Sequence, residues 1–166
     1  MGRSTKAWPS LVLALLLVGG AVAVPIGQHG GAVEAGGGYN PSGDECQVLT
    51  LINRYRASRN EGKLVLSRPL GVAAADHTGD MARRKKLYHT PNLLTTVRQL
   101  GYDGTAVGEN VASGYSSPQS VVSGWQESPG HRQNMLDGRF KAIGIAEQNG
   151  YWTTIFGNER DQTLSC

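Results

Sequence analysis

Apolar residues recur at helical spacing in four stretches of the chain and at alternating spacing in one. Val48, Leu51, Ile52 and Tyr55 follow one another every three or four positions up to Gly62. Asp44 with Gln47 three residues later has the form of a capping box, so a first helix is expected from Asp44 onward. Leu64-Val65-Leu66 is a short apolar segment. Leu70, Ala73, Ala74, His77 and Met81 then make a second helical face, opened by Ser67 and Pro69 and expected to span 68–86. Its last turn, Arg83-Arg84-Lys85-Lys86, puts cations at the negative end of the helix dipole, and a solvated helix end explains the run better than a phosphate or lipid-headgroup patch. Leu93, Val97 and Leu100 before Gly101 suggest a short third helix. Ser117-Pro118 opens a fourth, Val121, Val122 and Trp125 give it one face, and Pro129-Gly130 end it. A further turn is expected around Asn134-Met135-Leu136.

Past residue 142 the period drops to two. Ile143-Gly144-Ile145-Ala146 and Tyr151-Trp152-Thr153-Thr154-Ile155-Phe156 flank Asn149-Gly150, which is the signature of a hairpin with a two-residue loop. Such a loop fixes the register, with Ile143 opposite Phe156, Ile145 opposite Thr154 and Glu147 opposite Trp152. The other face carries Gly144, Ala146, Thr153 and Ile155 and no charge, so helices should cover the sheet on both sides. The expected fold class is α/β: a three-layer α-β-α sandwich with this hairpin in its central sheet.

The N-terminal stretch has a different character. Arg3 and Lys6 precede an apolar run through Val24, and small residues follow. The run is shorter than a spanning helix wants and Pro25 stands behind it, so residues 1–35 read as a cleavable signal peptide. Ala21-Val22-Ala23 and Val33-Glu34-Ala35 both offer a cleavage point. Residues 36–43, Gly-Gly-Gly-Tyr-Asn-Pro-Ser-Gly, lack periodicity and read as a flexible leader, leaving 44–166 as the folded domain. Export implies an extracellular or cell-envelope location, with membrane contact only through the signal segment. It also favours a disulfide between Cys46 and Cys166, which removes a thiol nucleophile from consideration. A monomer is expected.

Composition narrows the chemistry. With 39% hydrophobic and 17% charged residues the chain is an ordinary globular one. A net charge of +3 without a basic stripe interleaved with aromatics is a poor footprint for nucleic acid, which is set aside. No G-x-S-x-G, Walker, H-E-x-x-H or C-x-x-C motif occurs. What remains is a scatter of polar, glycine-punctuated segments: Tyr88-His89-Thr90, Gly108-Glu109-Asn110, Trp125-Gln126-Glu127-Ser128 and Gly130-His131-Arg132-Gln133-Asn134. Two imidazoles and a carboxylate can hold a divalent ion with open positions or pass protons near neutral pH. Each also has a local use: His89 in a loop before Pro91, His131 as a helix cap, and Glu109 as an acceptor for the backbone amides of a turn. His77 shares a helix face with Leu70, Ala74 and Met81 and reads as a core histidine. Asn110, Arg132 and Asn134 suit the satisfaction of backbone groups in glycine-rich turns.

These segments, in this order from about Glu45 to Gly157, resemble the CAP superfamily (cysteine-rich secretory proteins, antigen 5, pathogenesis-related 1), especially its short bacterial secreted branch. Leu51-Ile52-Asn53-x-Tyr55-Arg56, Ala73-x-x-x-His77-x-x-x-Met81, His89-Thr90, Gly108-Glu109-Asn110, Trp125-x-x-Ser128-Pro129-Gly130-His131-Arg132-x-Asn134 and Tyr151-Trp152-Thr153-x-x-Phe156-Gly157 carry the likeness. The resemblance implies an α-β-α sandwich with a cleft, and it puts the cleft histidines at His89 and His131 and the first acid at Glu109. Where other branches have a second glutamate this chain has Ser128, one place after Glu127, which is therefore a weak fourth candidate. A secreted binding module for a lipid, sterol or other small ligand is the favoured function, without catalysis. The alternatives are a hydrolase assisted by Zn²⁺ or another divalent cation on His89 and His131, and a surface protein acting on host or cell-wall components.

Overall fold

The computed structural model describes residues 38–166, so the expected signal peptide lies outside the described residues. The chain runs α1 (Gly43–Ala57), β1 (Val65–Ser67), α2 (Arg68–Arg84), α3 (Leu93–Gln99), β2 (Val107–Ser113), α4 (Pro118–Glu127), α5 (Pro129–Leu136), β3 (Ala142–Gln148), β4 (Tyr151–Gly157) and β5 (Thr163–Leu164). The strands form one mixed sheet in the order β2-β4-β3-β1-β5. The β1/β3 pair is parallel and the other three pairs are antiparallel. No described helix is long and apolar enough to cross a membrane.

The hairpin has the register that Asn149-Gly150 dictates: Ile143 pairs with Phe156, Ile145 with Thr154 and Glu147 with Trp152. Both loop residues have positive φ, 53° and 77°, as the tight hairpin turn requires. Alternation then splits the sheet into two apolar faces. Ile143, Ile145, Trp152 and Phe156 pack with Val48 and Ile52 of α1, Val121, Val122 and Trp125 of α4 and Met135 of α5. Ala142, Ala146 and Ile155 pack with Leu70, Ala73 and Ala74 of α2 and Val97 of α3. Small residues on this second face let α2 come very close. A Cβ at Gly144 would fall on the carbonyl group of Leu70, so only glycine fits there. Thr78 of α2 donates from its hydroxyl to that of Thr153, 2.7 Å away, across the same contact.

Several elements differ from the expectation. The cap of α1 is Ser42 with Glu45, two residues earlier than Asp44 with Gln47, and the reciprocal side-chain and backbone bonds of a capping box are both present. Helix α2 stops at Arg84, where Lys85 turns left-handed at φ 52°. Helix α4 stops at Glu127, just before Pro129-Gly130 as expected, but these two residues are also the start of α5, which contains the further turn expected around Asn134-Met135-Leu136, proline being well suited to a first helical position. Gly108-Glu109-Asn110 is no turn but part of edge strand β2, paired along its length with β4. Leu64-Val65-Leu66 contributes the short strand β1.

The leader also departs from the exposed segment its composition suggests. Tyr39 is buried, and its hydroxyl donates to the carbonyl of Ile145 at 2.5 Å and accepts that residue's N–H at 3.4 Å. Strand β1 pairs with β3 only at Ala142 and Ile143, so the rest of that edge needs other partners. Tyr39 supplies them at Ile145, and the buried carboxylate of Glu45 accepts the N–H of Glu147 at 3.2 Å. Cys46, next to Glu45, is joined to Cys166 in the expected disulfide, with Cα atoms 5.6 Å apart.

Candidate functional site

Strand β2 brings the acid into place. Glu109 faces the second sheet side, where the segment following α2 passes over it, and its side chain is only 4% exposed. Burying a carboxylate needs hydrogen-bond donors, and two consecutive residues provide them. Nδ1 of His89 lies 2.7 Å from Oε2, the Thr90 N–H donates to the same oxygen at 3.0 Å, and the Thr90 hydroxyl donates to Oε1 at 2.5 Å. An ionised carboxylate only accepts, so the contact fixes the proton of His89 on Nδ1 and leaves Nε2 to face outward. The His89 side chain is 64% exposed.

The other side of the same segment is held by α2. His77, buried, has Nε2 at 2.7 Å from the carbonyl oxygen of Tyr88, and its ring meets that of Tyr88 edge-on at 4.9 Å. A carbonyl only accepts, so Nε2 of His77 carries the proton. The core histidine expected from the sequence thus has a definite task. Tyr88 is pinned by His77, Thr90 is pinned by Glu109, and His89 projects between the two anchors.

Helix α5 approaches from the opposite layer, around the free edge of β2. The Asn134 side-chain amide donates to the Glu109 carbonyl at 3.0 Å and to Oδ1 of Asn110 at 2.9 Å, and Asn110 donates to the carbonyl of His131 at 3.1 Å. Four carbonyls accept from the buried guanidinium of Arg56 on α1: Gly62 in the loop after that helix, and Met135, Asp137 and Phe140 around the end of α5. Asn110 and Asn134 act on backbone groups as their residue types suggest, whereas Arg56 stood in the sequence only as the last residue of the Leu51–Arg56 family pattern, with no role attached. These bonds hold the backbone of His131 against Asn110, next to Glu109 in β2. Burial lowers the basicity of the His131 imidazole, and a charge on His89 lowers it further.

The donor set can be tested against a metal ion. Among the described residues no three His, Cys, Asp or Glu side chains gather to hold one. Glu109 is already engaged by His89 and Thr90, and Glu127 is exposed at the end of α4 with no side-chain hydrogen bond. The residues as folded do not compose a three-ligand site, whatever the two imidazoles do as a pair. Behind the pinned segment, between α2 and α3, lies a depression of about 570 Å³ that His89, Glu109 and His131 do not line. It shares Thr90 with the histidine–carboxylate contact; Ala73, His77, Tyr88 and Pro91 contribute to its walls, and the charged Asp76, Asp80, Arg84 and Lys86 line it as well.

Comparison with known proteins adds to this geometry. Residues 49–155 match the model of the cysteine-rich secretory protein family, CAP. Two Bacillus subtilis (strain 168) proteins are similar: the uncharacterised protein YkwD, 30% identical over 118 residues, and the uncharacterised membrane protein YlbC, 28% identical over 116. Each alignment spans 68% of this chain but only 46% and 34% of those relatives, so the chain matches less than half of either. An extracellular protein containing an SCP domain from Bacillus anthracis superposes with a TM-score of 0.67 at 26% identity, over 70% of this chain and 41% of that one. A cysteine-rich secretory protein of Staphylococcus aureus (TM-score 0.63, 16% identity, 70% and 38% coverage) and an outer surface protein of Borrelia burgdorferi (0.62, 18%, 68% and 90%) share the fold.

Proposed function

The chain belongs to the cysteine-rich secretory protein family, and from that premise we propose that it is an exported binding module, not a catalyst, whose cleft takes a lipid, sterol or other small ligand with an apolar body. One observation carries the choice: Glu109 is buried and its oxygens are occupied by His89 and Thr90. A general base must reach the proton it removes, and a metal-activating carboxylate must reach the ion. Glu109 instead braces a loop, and His89 and His131 remain as donors and acceptors at a rim. The neighbouring 570 Å³ depression has a size that suits a small ligand. Export is supported by the apolar N-terminal run, by the Cys46–Cys166 disulfide and by the similar Bacillus anthracis protein described as extracellular.

The test is a titration of the purified protein with a fluorescent long-chain fatty acid and a fluorescent sterol, beside His89→Ala and a His89→Ala/His131→Ala double variant. Saturable binding of one probe that survives His89→Ala is expected. Absence of probe binding, together with stoichiometric Zn²⁺ uptake by calorimetry that disappears in the double variant, would replace the binding module by a metal site.

A further inference from the structure

The segment 83–88 combines three features beyond the share that Arg84, Lys86 and Tyr88 have in the walls of the depression. Arg83, Arg84, Lys85 and Lys86 are four consecutive exposed cations, opposed locally by Asp80, which pairs with both arginines. Among the described residues Lys85 and Lys86 are in no ion pair, and both arginine side chains stay about two-thirds exposed, at 68% and 67%. Next comes Leu87, 46% exposed, the large hydrophobic residue found exposed among the described residues. A lone exposed leucine is ordinary on a protein surface, but here it adjoins a basic run in which one carboxylate, Asp80, faces four cations.

The backbone presents the two together at a cost. Lys85 adopts the left-handed conformation, where glycine is the usual helix-ending residue, and the Lys86 N–H closes the turn on the Met81 carbonyl at 3.1 Å. The chain turns sharply there, and the next residues are carried off the helix axis. Lys86 and Tyr88 line the depression between α2 and α3, and Leu87 between them does not.

We propose that Arg83–Leu87 is a docking surface for an anionic lipid bilayer, the cations meeting the headgroups and Leu87 entering the interface. Charge complementarity selects the partner and Leu87 selects a bilayer over a soluble polyanion, because a dissolved acidic polymer offers no apolar layer. The folded domain thereby gains a membrane contact beyond the one expected through its apolar N-terminal segment. Arg84 and Lys86 also line the depression proposed as a ligand site, whereas Arg83, Lys85 and Leu87 do not, so docking through these three stands whether or not that depression holds a ligand.

Purified protein is mixed with vesicles of phosphatidylcholine alone or with roughly one-third phosphatidylglycerol, and partitioning is measured by co-sedimentation. Binding to the anionic vesicles alone, weakened by salt, is expected. Lys85→Gly/Lys86→Gln should weaken it by roughly fivefold per lost charge, about twenty-five-fold together. Glycine suits the left-handed position, so this variant keeps its fold and its melting temperature holds or rises, which separates lost docking from unfolding. Leu87→Ser should weaken partitioning by roughly threefold to tenfold. In Leu87→Trp the added indole should shift its emission to the blue with anionic vesicles and not with dextran sulfate; Trp125 and Trp152 are already buried. Equal binding to both vesicle types, insensitivity to Lys85→Gly/Lys86→Gln, or binding to dextran sulfate as strong as to vesicles would overturn the assignment. Fatty-acid or sterol binding by Leu87→Ser, whose side chain lies outside the depression, tells the ligand site and the docking surface apart.

Discussion

Glu109 illustrates how one buried carboxylate can serve position in place of chemistry. Its three contacts come from adjacent residues twenty and nineteen positions away in sequence. Glu109→Gln keeps the volume but offers one acceptor oxygen and turns an amide NH₂ toward the Thr90 and His89 donors. Unfolding free energy in urea should fall by about 1–3 kcal/mol, and the Thr90 amide should exchange faster with solvent. Unchanged stability would mean that the carboxylate braces nothing. At this scale the sequence supplied residue types only. His89, Glu109 and His131 stood out through their resemblance to a family pattern, while no local rule brings together residues on a loop, an edge strand and a helix. Arg56 shows the converse: its guanidinium is buried and serves four carbonyls, yet the sequence pattern that includes it gives it no role.

Elements with a single dominant period were legible, and those with mixed demands were not. In β2, Glu109 and Asn110 stand side by side and so place polar groups on both faces of the strand, which erases the alternation that marks β3 and β4. The strand forms because β4 pairs with it throughout and Asn134 caps its free edge at Glu109. Helix α5 was obscured because Ser128 closes α4 and opens α5 at once, so the proline that starts one helix reads as the end of the other. The uncovered edge of β3 gives an element-scale prediction. Tyr39→Phe removes the hydroxyl that serves both the carbonyl and the N–H of Ile145 and leaves them buried without a partner. A loss of about 1–3 kcal/mol in unfolding free energy is expected, with faster exchange of the Ile145 amide measured by NMR.

For the molecule as a whole, the disulfide closes a loop of 120 residues between the first turn of α1 and the last residue of the chain. In the chain-entropy account such a closure restricts the unfolded ensemble by about 4–5 kcal/mol. Cys46→Ser/Cys166→Ser should therefore lose stability of that order in urea, with ligand titration under native conditions unchanged, since neither cysteine touches the cleft. What the sequence by itself determined is whatever acts within a few residues: the faces of α1, α2 and α4, the hairpin register set by Asn149-Gly150, and the two cysteines available for pairing. Periodicity and turn chemistry are local, so they survive in a one-dimensional reading. Tertiary structure alone decided the strand order, the pinning of His89 between two anchors, and the burial of Tyr39 against a strand 106 positions away. Those outcomes rest on burial and on hydrogen bonds between distant groups, and such energies exist only once the layers have closed on one another.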